Sequence, residues 1–419
     1  MTTFPLNQAT DWVEEFGSPL YVYDAATIAQ QYRRISGAFD DDLNVGIHFA
    51  CKALNNLNIL RLLKAEGAGL DAVSLGEIHL GLQAGFTPDE ILFTPNGVGM
   101  GEIRAAVEIG VHINIDNLET LEEFANEFGN SIPICVRINP HIMAGGNAKI
   151  SVGHIDSKFG ISIYQMRHLH RIVDHMGLHV HGLHMHTGSD IIDIASFMRG
   201  ANLLLEVAHD FKELTYIDFG SGFKIGYKPQ ERTTDIEAFG ATMSARFKEF
   251  CLEYGRDLQL IFEPVKFLVS EAGAFLTTVN STKTTPSTVF AQVDSGFNHF
   301  PRPMLYDAYH HIENISNPEG ENRLYTIVGY ICETDTFGYD RQLSEVRRGD
   351  VLAFHNAGAY CSTMASNYNS RVRPAEVLVK DGQAHLIRER ETIEDLTRGI
   401  VALDLFQEEV KASEEFVLN

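Results

Sequence analysis

The sequence predicts a closed (β/α)₈ barrel followed by a second, mostly β domain. Between residues 45 and 263, short apolar runs rich in β-branched residues alternate with helical patterns. There are eight such runs, and a barrel of this kind typically occupies about 250 residues. After Glu263 the long helical patterns stop, and short strand patterns separated by turns continue to about Thr392. An open, doubly wound sheet is the alternative fold for the same alternation of strands and helices.

The eight barrel strands are predicted from short apolar runs that end in turn residues. They are Val45–Cys51, Gly69–Val73, Ile91–Thr94, Ile113–Ile115, Ile134–Ile138, Val180–His186, Tyr216–Phe219 and Gln259–Glu263. The helices predicted between them are Asn55–Glu66, Leu75–Ala84, Gly101–Ile109, Leu118–Phe128, Ile163–His175, Ile194–Asp210 and Asp235–Tyr254. Ser74 and Glu77 form a capping-box pattern, which predicts a helix that begins at Leu75.

The second domain is predicted from strand patterns near the carboxyl end of the chain. They are Phe267–Thr277, Thr288–Asp294, Leu324–Tyr330, Val351–Phe354, Glu376–Val379 and His385–Arg388. An apolar run at Leu20–Tyr23 precedes the barrel, and we expect it to join this β domain. The predicted division is therefore a barrel at residues 36–280 and a β-rich domain made of residues 1–35 and 281–419.

Composition argues against several classes of protein. The 419 residues carry a formal net charge of −23, and so acidic a surface repels nucleic acid and anionic membranes. The five cysteines include no CxxC pair, which argues against a structural zinc site or a disulfide framework. The first residues lack the basic and apolar blocks of a signal peptide, and no apolar run reaches about 18 residues. We therefore expect a cytoplasmic protein that binds neither nucleic acid nor membranes.

Reactive side chains follow several predicted barrel strands, where barrel enzymes carry their chemistry. Lys52 closes the first strand, His186 the sixth and Glu263 the eighth, and Gly220-Ser221-Gly222 follows the seventh. Each has an ordinary alternative, such as a lysine that reaches solvent or a simple glycine turn. Together they fit pyridoxal phosphate: an imine-forming lysine, backbone N–H groups for the phosphate, a stacking histidine and a carboxylate for the pyridinium nitrogen.

A metal site is the competing interpretation of the same strand ends. His184 and His186 have the spacing of two ligands on one strand face, as in metal-dependent amidohydrolases of barrel fold. In those enzymes the pair lies on the first strand, whereas here it lies on the sixth. The other ligands do not follow in the required order, and we expect no metal.

Short motifs along almost the whole chain carry a family resemblance. They are Phe49-Ala50-Cys51-Lys52-Ala53, Val73-Ser74-Leu75-Gly76-Glu77, His186-Thr187-Gly188-Ser189, Gly220-Ser221-Gly222, Glu263-Pro264, Asp294-Ser295-Gly296, Arg302-Pro303-Met304-Leu305-Tyr306, Cys332-Glu333 and Ala365-Ser366-Asn367-Tyr368-Asn369. With these motifs in order, the chain resembles the diaminopimelate decarboxylases, which are fold-type III pyridoxal phosphate enzymes like alanine racemase and ornithine decarboxylase. The resemblance implies a barrel of the alanine-racemase type. It also implies decarboxylation of meso-2,6-diaminopimelate to L-lysine and carbon dioxide, the last step of lysine biosynthesis.

The resemblance also implies how the cofactor is held. Lys52 would form the imine, His186 would stack on the ring, and Glu263 would pair with the ring nitrogen. The phosphate would be surrounded by Ser189, Gly220, Ser221 and Gly222. Tyr368 would touch both cofactor and substrate.

Substrate recognition follows from the same resemblance. The carboxylate that is not lost would be bound by Lys266, Arg302 and Tyr306. Glu333 would recognise the distal amino group, and Cys332 would protonate Cα after carbon dioxide leaves, which makes it catalytic together with Lys52 and His186. In this family the active site forms at a dimer interface, so we expect a homodimer in which Cys332 and Glu333 come from the partner subunit.

The sequence departs from the family pattern after the eighth strand. Glu263-Pro264-Val265-Lys266 stands where the family has Glu-Pro-Gly-Arg. Lys266 keeps the charge but loses the bidentate fork of arginine. A valine at position 265 would be strained if that residue needs a positive φ. In the triple-glycine motif, Ser221 replaces the middle glycine, and its hydroxyl can add a donor for the phosphate.

Three other functions stay open at this stage. One is decarboxylation of a related amino acid or polyamine precursor such as carboxynorspermidine. A second is racemisation, against which Glu263 argues because racemases of this fold usually place an arginine at the ring nitrogen. A third is a non-catalytic pyridoxal-phosphate-binding homologue, which the substitution at Val265 keeps open.

Overall fold

The computed structural model describes residues 6–142 and 156–403. The strands are β1 (Leu20–Asp24), β2 (Val45–Ala50), β3 (Gly69–Ala72), β4 (Ile91–Phe93), β5 (His112–Ile115), β6 (Ile134–Asn139), β7 (Ile161–Ser162), β8 (Val180–His184), β9 (Tyr216–Asp218), β10 (Gln259–Phe262), β11 (Gly273–Thr284), β12 (Val289–Val293), β13 (Ile312–Asn314), β14 (Asn322–Val328), β15 (Thr336–Ser344), β16 (Val351–His355), β17 (Ala375–Lys380) and β18 (Gln383–Arg388). The α-helices are α1 (Ala9–Phe16), α2 (Ala25–Ser36), α3 (Leu57–Glu66), α4 (Leu75–Ala84), α5 (Met100–Ile109), α6 (Leu118–Phe128), α7 (Met166–Met176), α8 (Ile194–Ala208), α9 (Ile236–Tyr254), α10 (Val265–Val269), α11 (Arg302–Tyr306) and α12 (Ile393–Thr397). None of these helices is long and apolar enough to span a bilayer.

Eight parallel strands close into a barrel, which confirms the predicted fold. The pairing runs β2–β3–β4–β5–β6–β8–β9–β10, and β10 returns to β2 through Leu260 opposite Val45. Each strand lies within two residues of its predicted bounds. Because the strands are parallel, their carboxyl ends meet at one mouth, where the strand-end side chains gather.

Local capping explains why two helices begin where the sequence predicts. At α4 the Ser74 hydroxyl accepts from the Glu77 N–H, and Glu77 Oε2 accepts from the Val73 N–H. At α6 the Asn117 side chain accepts from the Thr120 N–H. These bonds satisfy N–H groups that the first turn of a helix otherwise leaves unpaired. Both helices have the predicted bounds.

The second sheet joins both ends of the described chain. β1 pairs with β11 in an antiparallel sense and with β17 in parallel, which confirms that the first strand joins the β domain. The strand predicted from Phe267 is wrong at its start, since α10 precedes β11. β13 and β15 were not predicted. β11 belongs to this sheet from Gly273 onward, so the boundary predicted at residue 280 falls inside it.

A loop of the β domain packs over the barrel mouth. The Tyr360 N–H donates to the Ala53 carbonyl at 2.9 Å, and Asn356 Nδ2 donates to the Gly226 carbonyl at 2.6 Å. Both Asn356 and Tyr360 have a positive φ, which bends the loop sharply. These contacts bring Tyr360 beside the lysine that follows β2.

Candidate active site

A cavity of about 520 Å³ opens at the carboxyl ends of the barrel strands. Lys52 lies in the single helical turn that follows β2, and Glu263 follows β10 directly. The strand ends also supply Asp71, Thr94, Arg137, His184, His186 and Ser221 to the lining. The predicted strand-end residues therefore do converge on one cavity.

Lys52 lies beside an acidic side chain. Its Nζ lies 3.8 Å from Asp71 Oδ2, and Asp71 in turn accepts a hydrogen bond from Thr94 Oγ1. Burial works to lower the pKa of Lys52, but the negative charge of Asp71 and its neighbours outweighs burial and holds the pKa above its usual value. Burial alone would depress the pKa of a lysine, and the charge of Asp71 prevents this here. Lys52 carries a proton that it must lose before it can attack a carbonyl.

Glu263 in the cavity lining and the buried Asp218 beside it both have raised pKa values. Burial raises the pKa of Asp218 to about 7, and burial with the adjacent Asp218 raises the pKa of Glu263 well above its usual range. Glu263 Oε1 and Asp218 Oδ2 are buried and have no hydrogen-bond partner among the residues that the structure describes. Burial and the mutual repulsion of the two carboxyl groups therefore favour a proton shared between them, and Glu263 is the member of the pair that lines the cavity.

His184, Asp218 and Glu263 also place possible metal-ligand atoms within 4.8 Å of one another. His186, the other half of the sequence pair, is not in this group. The buried guanidinium of Arg137 acts on both carboxyl groups and would repel a cation. The floor thus suits a ring nitrogen that shares a proton better than a metal ion.

His186 lies beside the glycine-rich turn. Its Nδ1 accepts from the Ser221 N–H at 3.3 Å, and burial, followed by the charge of Arg137, lowers its pKa to about 3. The ring is therefore neutral and can stack. Gly222 has φ of 140°, and a Cβ there would lie 2.2 Å from the Gly188 carbonyl oxygen. Only glycine fits this turn, which keeps its backbone open to a ligand.

Val265 adopts an ordinary helical conformation. It is the first residue of α10 and is absent from the residues with positive φ. The strain expected for a valine in this position is therefore wrong. The next residue, Lys266, is buried, and its Nζ pairs with Asp190 Oδ1 at 2.5 Å.

A second cavity of about 330 Å³ adjoins the first. Ser189, Lys266, Tyr306 and Tyr360 line both cavities. Arg302 lies in the wall of the second cavity and is 9% exposed. Among the described residues no carboxylate lies within 4 Å of its guanidinium, which instead donates to His310 and Tyr227 at 3.3 Å each. A buried guanidinium that pairs directly with none of the described carboxylates is suited to bind an anionic group of a ligand.

The comparisons with known proteins agree with this geometry. Residues 25–270 match the pyridoxal binding domain of the pyridoxal-dependent decarboxylases. The diaminopimelate decarboxylase of Methanothermobacter thermautotrophicus is 40% identical over 93% of each chain, and that of Pseudomonas fluorescens is 37% identical over 92% of this chain and 93% of its own. The chain belongs to the diaminopimelate decarboxylases. A crystal structure of the Helicobacter pylori diaminopimelate decarboxylase complexed with L-lysine superimposes with a TM-score of 0.85 at 32% identity, and the match covers 93% of this chain and 98% of that one.

The cofactor of this family, pyridoxal phosphate, fits the first cavity. The free Glu263 Oε1 lies at the floor, the neutral His186 at the side, and the glycine turn beside Ser189 and Ser221 leaves room for a phosphate. Lys52 supplies the amine. The residues that the sequence assigns to the cofactor therefore lie together, apart from Tyr368.

Three predicted site residues of this decarboxylase lie in a separate surface cluster. The Tyr368 hydroxyl donates to Glu333 Oε1, and Asn369 Nδ2 lies 3.5 Å from Cys332 Sγ. Cys332 is exposed, and Tyr368 is 45% exposed. None of the three lines either cavity. One chain alone therefore does not bring Cys332, Glu333 and Tyr368 to Lys52.

Several lining residues of the decarboxylase site were missed from sequence. Asp71 and Arg137 lie in β3 and β6, so an inspection of every strand end would have found them. Tyr360 could not have been found that way, because it comes from an irregular loop of the β domain. Asp190 follows Ser189 directly, and its importance depends on its contact with Lys266.

Proposed function

We propose that the protein decarboxylates meso-2,6-diaminopimelate to L-lysine and carbon dioxide with pyridoxal phosphate as cofactor, as a carboxy-lyase at the last step of lysine biosynthesis. The observation that carries this proposal is Arg302, a buried cation with no carboxylate within 4 Å among the described residues, in a cavity that adjoins the one containing Lys52. Diaminopimelate has a second carboxylate, whereas ornithine has only the one that a decarboxylase removes. The relatives named diaminopimelate decarboxylase support the same substrate.

Lys52 and the acidic floor prepare the first cavity for its cofactor. When bound, pyridoxal phosphate supplies a protonated ring that withdraws electrons from Cα as carbon dioxide leaves. Asp71, 3.8 Å from Lys52 Nζ, is the carboxylate positioned to take the proton that Lys52 must lose. Glu263 lines the cavity where the ring nitrogen would lie, and burial together with the adjacent Asp218 raises its pKa, which favours a proton shared with that nitrogen.

His186 and the glycine turn fix the ring and the phosphate of the cofactor in position. The neutral imidazole offers a flat face without a competing charge. The turn around Gly222 presents backbone N–H groups, and Ser189 and Ser221 add hydroxyl donors. Lys266 adds a positive charge where the two cavities adjoin.

The second cavity binds the end of the substrate that does not react. Arg302 takes the retained carboxylate, with Lys266 and Tyr306 beside it. This contact holds the substrate at a fixed distance from Lys52, so that the other carboxylate enters the first cavity. A substrate without the distal carboxylate leaves Arg302 buried and unpaired, which disfavours its binding.

We propose that the protein is a homodimer with shared active sites. Cys332, Glu333 and Tyr368 form an exposed cluster outside both cavities of their own chain, which supports a shared site in which a partner subunit supplies them. In this arrangement the partner's cluster closes the cavity over Lys52. Cys332 then delivers a proton to Cα, Glu333 receives the distal amino group, and Tyr368 contacts cofactor and substrate. We also propose a cytoplasmic location, which the five cysteines support because all are free.

The decisive experiment is product analysis of the cofactor-loaded protein. It is incubated separately with diaminopimelate, L-lysine, L-ornithine and L-arginine, and carbon dioxide and amine products are measured. We expect L-lysine from diaminopimelate and little or no product from the others. Turnover of ornithine without turnover of diaminopimelate would reject the substrate, and cofactor binding without any turnover would favour a non-catalytic homologue.

A labelling experiment tests the cofactor assignment separately. Borohydride reduction of the loaded protein is expected to abolish its visible absorbance. It should also attach the reduced cofactor permanently to the peptide that contains Lys52, which a peptide map detects. Lys52→Ala should lower kcat about 10³-fold or more, since it removes the covalent attachment. Lys380→Ala is the matched control, because Lys380 is an exposed lysine at the end of β17.

A further inference from the structure

Arg302 makes two hydrogen bonds that fix its guanidinium. Its Nε donates to His310 Nε2, and its Nη2 donates to the Tyr227 hydroxyl, both at 3.3 Å. Its Cζ also lies over the rings of Tyr227 and Tyr306, at 5.5 Å and 5.9 Å from their centroids. The α11 backbone alone would leave a long, flexible side chain free to rotate. These contacts use two of its five N–H donors and leave the rest for a ligand.

His310 can accept from Arg302 only in one neutral form. Its Nδ1 lies 2.8 Å from the His355 carbonyl oxygen, so Nδ1 carries the hydrogen and donates it. Nε2 then has a free lone pair that faces Arg302 Nε. Burial, reinforced by the charge of Arg302, lowers the pKa of His310 to about 3, so the ring stays neutral. The ring is fully buried, with an edge-to-face contact to Phe300 at 4.7 Å.

We propose that His310 is a positioning residue that aims Arg302 at the retained carboxylate of the substrate, with Tyr227 as its second support. The inference rests on the proposed function, because it assigns Arg302 to that carboxylate. His310 lies in the segment between α11 and β13, and Tyr227 lies in the segment between β9 and α9. One residue of the β domain and one of the barrel therefore hold Arg302 by hydrogen bonds. Recognition of the retained carboxylate depends on both domains.

Two substitutions separate the two nitrogens of His310. His310→Asn retains a donor near Nδ1 for the His355 carbonyl but removes the acceptor for Arg302. His310→Gln places an amide oxygen near Nε2, where it can accept from Arg302. Tyr227→Phe removes the second acceptor and keeps the ring under Arg302.

The readout compares two ligands that differ only in the retained carboxylate. L-lysine carries it, and cadaverine has the same chain without it. For His310→Asn we expect the KM for diaminopimelate and the Ki of L-lysine to rise about tenfold to a hundredfold, the effect of one misplaced charge-assisted hydrogen bond. We expect kcat to change less than about threefold, because the lost interaction binds the substrate and the transition state equally. The Ki of cadaverine should change equally little, because cadaverine lacks the carboxylate. His310→Gln should recover most of the affinity for L-lysine, and Tyr227→Phe should raise its Ki in the same direction.

Each outcome distinguishes positioning from general damage. Equal losses for L-lysine and cadaverine, or no recovery in His310→Gln, would overturn the positioning role and indicate a packing defect. Unchanged Ki values for L-lysine in His310→Asn would overturn it as well. If the wild-type protein binds L-lysine and cadaverine equally and does not decarboxylate diaminopimelate, the proposed function itself fails, and this result does not depend on any His310 variant.

Discussion

Lys266 Nζ lies 2.5 Å from Asp190 Oδ1, in a buried ion pair where the two cavities adjoin. Burial lowers the pKa of Lys266, and the charge of Asp190 works in the opposite direction. Asp190 therefore opposes the loss of the Lys266 proton that burial favours.

The Asp190→Asn variant should lose activity first at alkaline pH. Without the carboxylate, the pKa of Lys266 falls further, so the charge that assists substrate binding is lost at a lower pH than in the wild type. We expect the alkaline limb of the kcat/KM profile to move to lower pH, and kcat/KM at its alkaline end to fall about tenfold. The measurement is a pH profile with diaminopimelate as substrate.

Glu231→Gln provides the control for this variant. Glu231 lines the same cavity and pairs with another lysine, Lys224, at 3.0 Å. It should leave the alkaline limb within experimental error of the wild type. An alkaline limb that stays in place in Asp190→Asn would show that Asp190 does not control the charge of Lys266.

Val265 shows where a family comparison from sequence alone misleads. A glycine at this position in relatives suggests a positive φ, but here the backbone is helical and Val265 packs partly against the core. Val265→Gly should therefore lower the free energy of unfolding by about 1 kcal/mol without raising kcat. Val265→Ala, which keeps helix propensity, should cost less. Denaturant unfolding and steady-state kinetics check both, and a gain in kcat for Val265→Gly would show that the valine does strain the site.

The barrel could be predicted from sequence because local signals agree with the global fold. α4 and α6 have their predicted bounds because Ser74 and Asn117 provide side-chain caps. Lys52 and Glu263 were found because parallel strands bring their ends to one mouth. The prediction failed at α10, whose short run is buried almost throughout and so has no amphipathic period to separate it from a strand.

Tertiary contacts explain what could not be predicted within the site. The contact of Asp190 with Lys266 joins residues 76 positions apart in sequence. Tyr360 reaches the cavity through a loop without periodicity, and the charge of Asp71 reverses the pKa shift that burial alone would give Lys52. Electrostatic neighbours of this kind depend on packing, which hydrophobic patterns do not specify.

Cys332→Ala should lower kcat about 10²-fold or more, the scale of a lost general acid, while the visible absorbance of the bound cofactor stays unchanged. The reason is that the proposed role of Cys332 is to deliver a proton to Cα, whereas Lys52, His186 and Glu263 hold the cofactor, so the variant slows the reaction without releasing the cofactor. Cys251→Ala is the control, since Cys251 is a buried packing residue of α9. A Cys332→Ala variant with normal kcat would exclude the role of proton donor.

Mixing two inactive variants tests the shared site directly. Lys52→Ala and Cys332→Ala homodimers are each defective, but a mixed dimer has one site with both residues intact. After subunit exchange, random pairing predicts about a quarter of the wild-type activity. Activity that stays at the sum of the two separate variants would indicate that Lys52 and Cys332 of one chain serve the same site.

The buried histidines should make the protein unstable toward acid. Burial lowers the pKa of both His48 and His181 to about 4, from an ordinary value of 6.5. Between these values the unfolded chain binds protons that the folded chain does not, so the free energy of unfolding falls as pH falls from 6.5 toward 4. Each such histidine contributes a slope of up to about 1.4 kcal/mol per pH unit. His181→Asn should reduce the slope by about one such contribution in urea unfolding at several pH values. Equal slopes in the wild type and His181→Asn would contradict the assignment.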